Sequence, residues 1–141
     1  MDTSELRAGL RAGAVAGALS GVPSTVHAVA TGRSPFDALQ AAGTLLLADD
    51  APSSAQAAAG VVAHSAISLG WGVVLAVALP RRRTVAWGAL AGLGIAGLDL
   101  GVLGRRRWPR IRALPTLPQV ADHVTFGALV GAVVSRAGRR R

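Results

Sequence analysis

The chain has 141 residues, room for one domain, and carries 15 basic side chains against 7 acidic ones, a formal charge of +8. Half of it (51%) is apolar, but its aromatics amount to three Trp and two Phe, and it has no Cys, which excludes disulfides and thiolate metal sites. Every basic residue is Arg, and the arginines bracket apolar blocks instead of lining one polar face, so nucleic acid is not an expected partner.

The first apolar block, 12–30, reads "AGAVAGALSGVPSTVHAVA". Arg7 and Arg11 ahead of it, and Ala28-Val29-Ala30 at its end, have the outline of a secretory signal. Asp2, Glu5, Ser20, Pro23, Ser24 and His27 argue instead for a retained span, kinked at Pro23. The link 31–55 contains "SPFDALQAAGTLLLA", expected to form a short amphipathic helix at the membrane interface, about 35–48. A "DDAPSS" turn follows, whose Ser53 or Ser54 is placed to cap the next span. That second block is 56–79, closed by Pro80 and Arg81–Arg83. The third is 84–103, which "RRRWPRIRALPTLP" cannot continue, and the fourth is 119–135. Each block has 17–24 residues, enough to cross a hydrocarbon core of about 30 Å as a helix, and none has the polar stripe of a soluble surface helix. The expected fold is all-α: a four-helix transmembrane bundle forming one integral membrane domain over 1–141.

Arginine counts suggest an orientation. With both termini cytoplasmic, nine arginines lie inside and six outside, a narrow excess in that direction. Arg105, Arg106, Arg107, Arg110 and Arg112 then crowd the outer loop, where they are candidates for lipid head groups or simply snorkel to the interface. The expected location is the plasma membrane of a bacterium, since the Arg/Ala/Gly bias is that of a GC-rich genome.

Glycine spacing is regular. Gly9, Gly13, Gly17 and Gly21 recur every fourth residue, and Gly88 with Gly92, Gly97 with Gly101, and Gly127 with Gly131 repeat the interval. In lipid, helices associate through close backbone approach, which such small residues permit. These faces serve either to pack the four helices or to join two copies into a homo-oligomer.

Ionisable residues inside the spans are few and one-sided. Alternating helix directions place His27, His64, Asp99, Asp122 and His123 in one layer, roughly 5–13 Å deep from one boundary at about 1.5 Å per residue. Ser24, Ser65 and Ser68 stand near them. Singly, each has a plain structural role: Asp122 as a helix-start carboxylate, Asp99 as a partner for Arg105–Arg107, the histidines held by water or carbonyls. Together they mark a site, because such groups are costly in a membrane. The set suits zinc, iron, copper or manganese, or haem through two histidines, or a proton relay. No spacing chooses among these, and there is no nucleophile motif, so an enzyme is not the favoured reading.

The segments "GVPSTVHAVATGRSPFDALQAAGTLL" (21–46) and "ADHVTFGALVG" (121–131), with the overall layout, resemble small four-span, Arg/Ala/Gly-rich bacterial membrane proteins that are themselves uncharacterised. The resemblance implies a membrane location and no activity. Three roles stay open: an accessory or self-associating bundle, a metal- or haem-binding protein, and a small proton-coupled transporter.

Overall fold

A computed structural model describes residues 1–103 and 108–138. Those residues are helical with no strand. The elements are α1 (Thr3–Leu19), α2 (Val22–Ala30), α3 (Asp37–Gly43), α4 (Ser53–Ala78), α5 (Thr84–Ala96), a π-helical continuation of α5 (Gly97–Leu103), α6 (Pro109–Ala113) and α7 (Thr116–Gly138). Three stretches are long and apolar enough to cross a membrane: Ser53–Ala78, Thr84–Val102 and Thr116–Ala137. By length and composition they mark a membrane protein.

The first expected span, 12–30, is not one helix. Pro23 has no N–H to give the Leu19 carbonyl, and its ring crowds that position, so α1 stops at Leu19. The chain restarts as α2 with Pro23 in its first turn, where a missing N–H costs nothing. Arg7 and Arg11 fall inside α1, which begins at a capping box: Asp2 accepts the Ser4 and Glu5 N–H groups while the Glu5 carboxylate accepts the Asp2 N–H. An Arg81–Glu5 ion pair of 3.6 Å sets the start of α1 beside the α4–α5 turn. The start of α1 and the end of α4 therefore share one end of the molecule, with α2 and α3 at the other.

Two seams hold the bundle. Along the first, Gly9, Gly13 and Gly17 of α1 meet Ser68, Gly72 and Ala76 of α4. A Cβ on Gly9 would lie 2.7 Å from the Val73 Cα, and one on Gly17 would lie 2.8 Å from the Ser68 Cβ. Along the second, Gly88 and Gly92 of α5 meet Gly127 and the His123 backbone of α7, and Gly131 meets Thr84. Real Cβ atoms do not occupy such positions, so both seams require glycine. Gly21, Gly97 and Gly101 have nothing within 4 Å of where a Cβ would stand; they take no part in packing, contrary to their regular spacing. The other glycine faces are covered by helices of the same chain.

Helix α3 is shorter than the 35–48 expected for an amphipathic or partly buried helix there, and it is packed on α4. Gly60 of α4 sits against the Leu39 carbonyl, and Gly43 sits against the Gln56 backbone. Ala41, Gly43 and Thr44 are buried there. Pro52, and neither Ser53 nor Ser54, precedes α4, with no side-chain cap. Gln56 is fully buried; its Nε2 donates to the Asp49 carbonyl at 3.0 Å and to the Ala48 carbonyl at 3.3 Å, and its Oε1 accepts from Arg110. Through this one side chain, the loop after α3 and α6 are fastened to α4.

In section, the long helices form an open arc. Helix α4 packs on α1, α1 on α7, and α7 on α5, but the backbones of α4 and α5 do not approach closely, although only residues 79–83 join them. The gap between α4 and α5 is closed neither by the arc nor by the seams.

Candidate ligand cleft

That gap holds a cleft of about 480 Å³. Its walls are α4 (His64, Ile67, Ser68, Trp71) and the end of α5 with its π-helical continuation (Ile95, Leu98, Asp99, Leu100). Ser20 and Gly21 at the α1–α2 break, with Gln119, Asp122, His123 and Phe126 of α7, form the floor. Helices α3 and α6 supply a roof that includes Ala42, Leu45, Trp108 and Ile111. Four of the five ionisable candidates, His64, Asp99, Asp122 and His123, thus share one cleft.

His123 and His64 reach it where glycines let two helices close up. Gly92 admits the His123 backbone, and from there the His123 Nε2 lies 3.4 Å from the Asp99 Oδ2. The His123 Nδ1 is 2.7 Å from the Gln119 carbonyl, which can only accept, so this nitrogen carries a proton. With Nδ1 so committed, a bond between Nε2 and the carboxylate requires one proton between them, on the ring or on Asp99. The pair is a proton-holding unit facing the cleft. Asp99 thus pairs with His123; Arg105–Arg107, the partners expected for it, lie outside the described residues.

On the opposite seam, Gly13 and Gly17 bring α1 onto α4, and the His64 Nε2 donates to the Gly17 carbonyl at 2.9 Å. Gly17 lies in the last turn of α1, where carbonyls have no partner within the helix. His64 thus serves the end of a broken helix. Asp122 serves the other side of the same break: its Oδ1 accepts the Ser24 N–H of α2 at 2.9 Å. Asp122 is not in the first turn of α7, which begins at Thr116; it caps the first turn of α2, where free N–H groups and the helix dipole favour a carboxylate.

The remaining candidates separate. His27 is half-buried on α2 and does not line the cleft; it lines a small adjoining pocket with Ser24, Arg33 and Asp37 that shares Gln119 with the cleft. The Ser24 hydroxyl bonds the Gly21 carbonyl at 3.3 Å. Ser65 is exposed and outside the cleft, whereas Ser68 is 5% exposed, wedged against α1 and part of the wall. Arg110, expected at lipid head groups, is turned inward to Gln56 and donates to the Asp49 carbonyl at 2.9 Å. Arg112 is exposed, and Arg105, Arg106 and Arg107 lie outside the described residues. Among the described residues no three His, Asp or Glu side chains converge to hold a metal ion; the expected ligand set is divided into pairs with each other and with the backbone.

Gln56, Gln119 and the aromatic lining were not foreseen. Gln119 stands four residues before His123, the interval at which helix side chains and carbonyls meet, and its Nε2 also bonds the Leu114 carbonyl at 3.3 Å. Gln56 gave no signal beyond being a polar residue in an apolar block. No family model, curated protein or solved structure matches the chain.

Proposed function

We propose that the protein is a small carrier of a bacterial plasma membrane, with both termini cytoplasmic, that takes a compact amphiphile sideways from the bilayer into the cleft between α4 and α5. The observation that carries this reading is the convergence of His64, Asp99, Asp122 and His123 on one cleft of about 480 Å³, within the size range of small-molecule sites. Ionisable groups at membrane depth are expensive, and gathering them around open volume, beside an interrupted helix, is an arrangement suited to a ligand path. Its polar groups are engaged with one another and with backbone instead of being arrayed around a nucleophile, which favours binding and passage over covalent chemistry.

The test uses Trp71, which lines the cleft, as the sole indole after Trp87→Phe and Trp108→Phe. In lipid nanodiscs, an alkyl amphiphile bearing a doxyl quencher should quench Trp71 saturably at one per chain, and Ala42→Phe, which fills the cleft, should remove the saturable part. Quenching that rises only in proportion to the amphiphile-to-lipid ratio, for every head group tried, would sink the carrier reading.

A further inference from the structure

We infer that the ligand of this cleft is an amphiphilic organic cation, an inference that rests on the carrier reading and narrows it. Three observations support the charge and the shape. First, the lining holds two carboxylates: Asp122, and Asp99, which is paired with His123.

Second, the carboxylates keep acceptor capacity while the imidazole nitrogens are directed to other partners. A carboxylate offers about four lone-pair sites; the Ser24 N–H occupies one on Asp122, and His123 stands against one on Asp99. His64 directs its Nε2 to Gly17, and His123 directs its Nδ1 to Gln119. An anion entering would meet carboxylates with the nearby imidazole donors engaged, whereas a cation would meet acceptors.

Third, the aromatic side chains are concentrated there. Trp71, Trp108 and Phe126 line the cleft, three of only five aromatics in the chain. Ring faces attract alkylammonium groups as well as apolar tails, and indole does so most strongly. The apolar part of the ligand is accounted for by Ile67, Ile95 and Leu98 beside those rings. The gap between α4 and α5 gives a membrane-dissolved molecule direct access without crossing the roof.

The experiment compares three doxyl-labelled alkyl chains of one length, ending in trimethylammonium, hydroxyl or sulfonate, on the full chain in zwitterionic nanodiscs, with empty nanodiscs as the blank. The ammonium has a fixed charge, so head-group titration does not enter. Trp71 quenching should saturate with the trimethylammonium probe at a concentration at least about tenfold below that for the alcohol, and the sulfonate should not saturate. Asp99→Asn should raise the midpoint for the ammonium about tenfold and leave the alcohol unchanged. Saturation by the alcohol or the sulfonate at the same concentration as the ammonium overturns the cation assignment while leaving the carrier reading intact. Absence of saturation with all three overturns both. The comparison of the three probes on the chain that keeps Asp99 and has Trp71 as its sole indole decides the matter even where Asp99→Asn fails to fold.

Discussion

The two ends of the bundle use the same helices in opposite ways. Toward the chain termini, α1 lies on α4 and α5 lies on α7 with backbone against backbone, and there is no room for a single added carbon at Gly9, Gly88 or Gly127. Toward α2 and α3, α4 and α5 part, the polar side chains appear, and Gly21, Gly97 and Gly101 face open space, while Gly43 and Gly60 keep α3 close on α4. The tight end fixes where helices lie; the open end uses that placement. The distances of His123 to Asp99 and of His64 to Gly17 are set where glycines let two helices close up, so packing and site geometry cannot be altered separately.

The largest expected effect comes from breaking the tight end. Gly127→Leu forces α5 from α7 and should cost about 3 kcal/mol or more, whereas Gly97→Ala should change stability by less than about 0.5 kcal/mol. Unfolding in mixed micelles against rising dodecyl sulfate measures both, and equal losses would remove the distinction between the two ends. Next in size, Gln56→Ala removes the Ala48 carbonyl's side-chain donor, one of two at the Asp49 carbonyl, and one of Arg110's acceptors, for an expected loss of about 2 kcal/mol. A stability within error of the parent would show that the roof is held by something other than Gln56. The smallest effect is at the helix break. Asp122→Ala should cost about 1 kcal/mol, the usual worth of a helix cap, and should speed amide exchange at Ser24 while exchange at Leu75, in the tight seam, stays as it was. Unchanged exchange at Ser24 would separate Asp122 from α2.

Much of this was legible in the sequence because membrane helices declare themselves by composition. The second, third and fourth spans fall where hydropathy puts them, since apolar length is all that crossing a bilayer demands. The first failed because hydropathy does not register a broken hydrogen-bond ladder: Pro23 was visible, but whether it would kink the helix or end it depended on His64 and Asp122 being there to receive the freed groups. The polar layer could be read because helix rise converts residue number into depth. Which members meet could not, since that depends on rotation about each helix axis; His27 shares the depth and points elsewhere. Gln56 was invisible for a related reason, its partners being carbonyls, which every residue has.

The single glutamine that fastens the roof also determines how the molecule divides. The loop after α3 and α6 travel with α4 through Gln56, and α1 is seated on α4 by Gly9, Gly13 and Gly17. The other body is α5 with α7, joined by Gly88, Gly92 and Gly127. Helix α7 also packs on α1, α2 and α4, so the two bodies meet on it and share one core. Asp122 of α7 holds the Ser24 amide of α2, which keeps α2 with the second body while α1 stays with the first; the break at Pro23 is where the chain passes between them.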